Sequence, residues 1–249
     1  MKKVFSFLLL AFFLILTLSG CGNGSTQKKS WSGEPQEVTT IILVRHGQTD
    51  YNVEGRLQGH LDIPLNETGL AQADKLAEYL KDVPIDVCFS SPLSRANTTA
   101  KKVAALHDLP VSVDDRLIEI DHGDWTNHLK SELKKDYPEE YDKFTQTPWL
   151  YTGPNAESLS DMGKRGAEAL HEIACTNPGK TVLVAAHSDF NKATVCEILG
   201  LEYEHFNELQ QDNTSISILR YDGNWKLCVW NSIPHLGYLT EGIALSDSE

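Results

Sequence analysis

Basic residues are scarce in this chain. Its 22 Lys and Arg stand against 35 Asp and Glu, a formal net charge of −13. A general nucleic-acid surface needs a basic stripe, and its absence argues against a nucleic-acid partner. Any anion site must therefore be local, built from a few placed cations and backbone amides. Cysteine is also sparse, five in 249 residues, with no CxxC pair. His171-Glu172 lacks the second His that a zincin helix needs, so no metal pattern is present. Cys88, Cys175, Cys196 and Cys228 sit in apolar or helical patterns and are expected to be buried free thiols, with disulfides as the alternative that an exported protein would permit. There is no internal repeat, and the single long apolar run, Val4 to Leu18, is short for a spanning helix.

That run sits in MKKVFSFLLLAFFLILTLSGC. Two lysines, an apolar stretch and small residues make an export signal. Leu18-Ser19-Gly20-Cys21 resembles a bacterial lipobox, which implies cleavage before Cys21 and a lipid on it; an uncleaved anchor is the alternative. Either way the expectation is an exported protein tethered to the membrane on its extracytoplasmic face. The expected order is a signal over residues 1–20, a Gly- and Ser-rich flexible linker over 21–38, one domain over 39–240 and an acidic tail over 241–249. Nothing in the sequence sets an oligomeric state.

Within the domain, Thr39 to Val44 is a β-branched and apolar run, as in a strand buried on both faces. A helix opens at Thr68 with Leu70, Ala73, Leu76, Ala77 and Leu80 on one side. Ile85 to Ser91 reads as a strand, Ser94 to Leu106 as a helix with Ala96, Ala100, Val103 and Ala104 inward, and Val111 to Val113 as a short strand. Leu117 to Tyr151 is charged and aromatic, a lobe of helices and loops. Ser158 to Ala174 is a helix, Thr181 to Ala186 a buried strand, and Asp189 to Leu199 a helix closed by Gly200. A hairpin turns at Asp222-Gly223. The alternation predicts a three-layer α/β/α sandwich with a mostly parallel central sheet. Sites in such sheets form at the carboxyl ends of strands.

Those ends carry Arg45, His46 and Gly47; Ser90, Ser91 and then Arg95; and His187. Two arginine forks and an imidazole match the oxygens of a phosphoryl group, and a second imidazole is free to attack phosphorus. Glu119 is the best candidate acid for the leaving alcohol, with Asp121 and Asp189 as rivals. His60, His107, His128, His171 and His205 are read as surface or packing residues, and His122 is left open.

LVRHGQTDYN with GRLQGHLDIPLNETGLAQA, SPLSRANTTA, RLIEIDHGDW, AAH at 185–187, NAES and the closing segment from Asn231 to Leu236 resemble, in order, the motifs of the histidine phosphatase superfamily, on its phosphoglycerate mutase-like branch. The resemblance spans about Ile41 to Leu236. It implies a phosphoglycerate mutase-like fold and a phosphomonoester hydrolase acting on a small phosphorylated substrate. His46 would be phosphorylated, with Arg45, Arg95 and His187 clamping the phosphate. Glu119 would donate a proton to the leaving group and later activate water. Asn52, Gln58 and Gly59 would sit at the substrate mouth. No metal or organic cofactor is implied.

Three departures bear on substrate choice. Ser188 stands where the family usually has glycine, and either crowds the phosphate or donates to it. Thr126-Asn127 replaces Glu-Gly, and Asn155-Ala156 replaces a glycine pair. Two other readings are carried alongside. A phosphoglycerate mutase would return the phosphoryl group to the substrate, and a non-catalytic lipoprotein would only bind a phosphorylated ligand. The apparent export speaks against the first, and the intact set with Glu119 against the second.

Overall fold

The computed structural model describes residues 37–240 and 243–244. The signal, Cys21 and most of the linker lie outside the described residues. The strands are β1 (Thr39–Arg45), β2 (Val87–Ser90), β3 (Val111–Val113), β4 (Thr181–Ala186), β5 (Ile216–Tyr221), β6 (Trp225–Ser232), β7 (Tyr238–Thr240) and β8 (Ile243–Ala244). The helices are α1 (Asp50–Glu54), α2 (Glu67–Leu80), α3 (Ser94–Ala105), α4 (Lys130–Asp136), α5 (Pro138–Gln146), α6 (Leu159–Thr176) and α7 (Ser188–Leu199).

The main sheet runs β3-β2-β4-β1-β5-β6. β3, β2, β4 and β1 are mutually parallel, and the β5–β6 hairpin adds antiparallel strands at β1's free edge. Side-chain alternation sorts the core into two layers. Ile41, Leu43, Val182 and Val184 face Met162, Leu170 and Ile173 of α6 and Phe190 and Ala193 of α7. Ile42, Val44, Leu183 and Ala185 face Leu76, Ala77 and Leu80 of α2 and Ala100, Val103 and Ala104 of α3. Each fully buried Ile, Leu or Val contributes roughly 1.5–3 kcal/mol of apolar transfer, so β1 and β4 anchor both layers. A separate cluster of Leu57, Trp125 and Leu133 with Tyr141, Phe144 and Tyr151 holds the lobe.

Two expectations need correction. Leu70 is 39% exposed. The buried stripe runs instead through Gly69, Ala73, Leu76, Ala77 and Leu80, one residue and about 100° round the helix from it. Among the described residues Cys88, Cys175, Cys196 and Cys228 are free, but Cys175 on α6 is only half-buried, and Cys228 is exposed because it lies on the edge strand β6.

The start of α2 is pinned against the loop after β1. A Cβ at Gly47 would lie 2.5 Å from the Gly69 carbonyl oxygen, and one at Gly69 would collide with the Gln48 backbone. The space that Gly47 leaves by lacking a Cβ is filled by the start of α2. Gly69→Ala is expected to destabilise by about 1–3 kcal/mol through overpacking, read as a lower urea midpoint, with phosphatase activity falling as the loop shifts.

Candidate active site

Register places the site. Arg45 on β1 pairs with Ala186 on β4, and Ser90 on β2 pairs with Ala185. The three strands thus end level, and His46 and His187 emerge side by side with ring centroids 5.3 Å apart. Arg95 comes from the first turn of α3, just after β2. Glu119 comes from the segment after β3.

His46 Nδ1–H donates to the Gly47 carbonyl at 2.7 Å. A carbonyl only accepts, so Nδ1 carries the proton and Nε2 keeps its lone pair. Burial, and then the charges of Arg95 and Arg45, hold the His46 pKa well below the ordinary histidine value. The ring is therefore a neutral nucleophile at physiological pH. Its loop is fixed from several sides. Thr99 Oγ1 accepts from Gly47 N at 3.2 Å, and the His46 carbonyl accepts from Thr214 N and Asn213 Nδ2.

Arg95 is 1% exposed. Its Nη1 and Nη2 donate to the carbonyls of Leu61 and Gly59 at 2.8 and 2.9 Å, while Nε has no partner among the described residues. Gly59 thus orients the arginine as well as lining the site. Burial lowers the Arg95 pKa to about 10, which leaves it cationic. Arg45 donates to the Gln211 carbonyl. Ser91 Oγ lies 2.7 Å from His187 Nε2, while His187 Nδ1 is buried without a partner.

Glu119 sits at the N-terminus of α7. Its Oε1 accepts from Phe190 N and Ile120 N at 2.9 and 3.0 Å, and Oε2 from Asp189 N at 3.3 Å. These bonds favour the carboxylate, but burial and the nearby Asp189 charge outweigh them and raise its pKa to about 7. Of the rivals, Asp121 spends an oxygen on Gly123 N, and Asp189 acts on Glu119 as a neighbouring charge.

A cavity of about 130 Å³ is lined by Arg45, His46, Arg95, Glu119 and Ser188, and by the expected mouth residues Asn52, Gln58 and Gly59. His187 does not line it; it packs fully buried against His46. Asn52 Oδ1 accepts from Thr49 N, and Gln58 Oε1 lies 3.1 Å from the Thr49 hydroxyl, which leaves both amide NH₂ groups as donors to a ligand. Arg56 and Lys130 also line the cavity. With Arg45 and Arg95 they concentrate positive charge locally in an acidic chain. A second cavity of about 230 Å³ adjoins it, sharing His122, Lys130 and Asp189 and walled by Trp125, Phe144, Tyr151 and Phe206.

Sequence reasoning missed several supports. Arg165 on α6 donates to the carbonyls of Arg116, Ile118 and Glu119 and pairs with Glu157 at 2.7 Å, clamping the acid segment. His60 is exposed, as expected, and its Nε2 also donates to the Glu119 carbonyl at 2.8 Å. The glycine replacements have a backbone reason. Asn127 and Asn155 take φ of +72° and +56°, and asparagine tolerates that left-handed region better than other non-glycine residues.

The geometry agrees with three comparisons. Phosphoserine phosphatase 1 of Hydrogenobacter thermophilus is 36% identical over 185 residues, covering 74% of this chain and 88% of that one. The structure of Bacillus stearothermophilus YhfR superposes with a TM-score of 0.76 at 32% identity, covering 80% of this chain and 99% of the other. A phosphoserine phosphatase mutant from Entamoeba histolytica, in complex with phosphoserine, superposes at 0.72 and 32% identity, again over 80% and 99%. The family model for the histidine phosphatase superfamily (branch 1) matches residues 41–233. With its nucleophile-ready His46 between two arginines and a protonatable Glu119 opposite, this chain belongs to the histidine phosphatase superfamily, branch 1.

Proposed function

We propose that the protein hydrolyses phosphomonoesters through a phosphohistidine on His46. The observation that carries this is the pairing of opposite protonation demands in one cavity: a histidine kept neutral by burial and then by two arginines, and a glutamate kept protonatable by burial and a neighbouring carboxylate. The His46 Nε2 lone pair attacks phosphorus in line, and the P–O bond to the alcohol breaks. Glu119 gives its proton to the departing oxygen. Arg45 and Arg95 hold the equatorial oxygens as charge shifts onto them, with the Ser188 hydroxyl as a further donor. Water then loses a proton to Glu119 and attacks phosphorus. The P–N bond breaks and Nε2 recovers its lone pair.

Similarity to phosphoserine phosphatases makes phosphoserine the first ester to assay with the full-length protein. Supplying 3-phosphoglycerate separates hydrolysis from mutase transfer. Inorganic phosphate should appear in step with substrate loss; accumulation of 2-phosphoglycerate without phosphate would support the mutase instead.

The pH profile follows from the two groups. Glu119 must be protonated, so kcat/KM for alkyl esters should fall as pH rises above about 7. His46 must be neutral, so the acid limb should lie well below the usual histidine value. Asp189→Asn removes a charge that raises the Glu119 pKa, and should move the alkaline limb to lower pH. An unmoved limb would assign it to another group.

The N-terminal pattern supports a further reading, export and tethering through a lipid on Cys21. Labelling with a radioactive fatty acid should mark the wild type and be lost in Cys21→Ala; a label that persists would count against it.

A further inference from the structure

Lys192 breaks a local rule. It lies in the second turn of α7, close to the positive end of the helix, where a cation is unfavourable. Its side chain is only 12% exposed. The ammonium lies over the Phe206 ring, 3.7 Å from the centroid, and 3.9 Å from Asp189, beyond hydrogen-bonding distance. No hydrogen bond to it is found among the described residues. A largely buried ammonium whose partners are one aromatic face and a carboxylate at 3.9 Å, with no hydrogen-bond acceptor, is only partly compensated, and a residue that departs from the local pattern points to a functional position.

The position is specific. Lys192 lines the second cavity and is absent from the wall of the phosphate cavity. Ser188, one turn earlier on the same face of α7, lines the phosphate cavity. Four residues rise about 6 Å along a helix, so Lys192 stands one short molecule away from the phosphoryl site. The other acids lining its cavity are engaged: Glu157 with Arg165, and Asp121 with Gly123 N. The opposite wall of Trp125, Phe144 and Tyr151 is mostly aromatic.

Resting on the phosphatase reading above, we propose that Lys192 sets substrate specificity by pairing with a carboxylate on the leaving alcohol, so that the preferred substrates are phosphomonoesters of short hydroxy acids. The ester oxygen then lies beside Glu119 while the carboxylate reaches α7 one turn on.

Two ester pairs test this with the full-length protein: phosphoserine against phosphoethanolamine, and 3-phosphoglycerate against glycerol 3-phosphate. Each pair differs at the carboxylate. A charge-assisted hydrogen bond is worth about 1.5–3 kcal/mol, so kcat/KM should favour the acid member by roughly 10- to 100-fold. In Lys192→Met that ratio should collapse toward one, with the loss falling on the acid member, and Lys192→Arg should restore part of it. A wild-type ratio near one, or a Met variant that keeps the ratio, overturns the proposal. So does equal loss on both members, which would show Lys192 acting on the chemistry through Asp189. Silence of the wild type on all four esters would instead overturn the phosphatase reading beneath it.

Discussion

His46→Ala is expected to lower kcat for phosphate release from any monoester by about 10⁴-fold or more, the scale seen when a covalent nucleophile is removed. The argument is geometric. His46 presents a lone-paired Nε2 to the cavity beside Arg45 and Arg95, because Nδ1 is tied to the Gly47 carbonyl. His187 cannot stand in, since it lies behind the wall with Nε2 against Ser91. Binding should survive better than turnover. Arg45 and Arg95 still line the cavity, so KM should change far less than kcat. The substitution removes one hydrogen bond, worth about 1 kcal/mol, and the chain should remain folded by circular dichroism. Substantial turnover in a folded His46→Ala protein would contradict the covalent route.

Glu119→Gln is the second large effect, and its signature is selectivity. Alkyl esters have poor leaving groups and need the proton, so their first turnover should slow by roughly 10²- to 10⁴-fold. An activated aryl ester leaves without it. Glu119 also serves the water step, so steady-state rates mix two losses. The initial burst isolates the first step: with the aryl ester, the burst should persist in Glu119→Gln while steady turnover falls. Gln keeps an oxygen for the Phe190 or Ile120 amide, so the α7 terminus stays capped on one side. Equal slowing of the burst on both ester types would move the acid role to Asp189 or Asp121.

The parts of this site that rest on local pattern were legible in the sequence. β1 and β4 read as strands because both faces are buried, giving unbroken apolar runs. Arg45, His46 and His187 read as a site because polar residues end those runs. Arg95 was legible from its place in the first turn of α3, just after β2. The supports that depend on packing between distant segments were not. Arg165 looks like any arginine on an amphipathic helix, and only the fold brings the Glu119 segment against it. Lys192 sits in a helix whose pattern says nothing about a cavity, because the wall opposite is supplied by the weakly periodic lobe. His187 was expected to touch phosphate directly. It lies beside His46 instead, since the level ends of β1 and β4 place the two rings in contact. Leu70 misled because the apolar stripe of α2 is continued by a glycine, chosen for closeness to Gln48 rather than for hydrophobicity.

The most direct test of the central claim is to trap the intermediate. The full-length protein is mixed with ³²P-labelled phosphoserine or an activated aryl phosphate, quenched in the burst phase, and digested. The account predicts an acid-labile, alkali-stable label on the peptide containing LVRHGQTDYN, assigned to His46 and absent from His46→Ala. A working enzyme that carries its label on another residue, or turns over with no label at all, would contradict it.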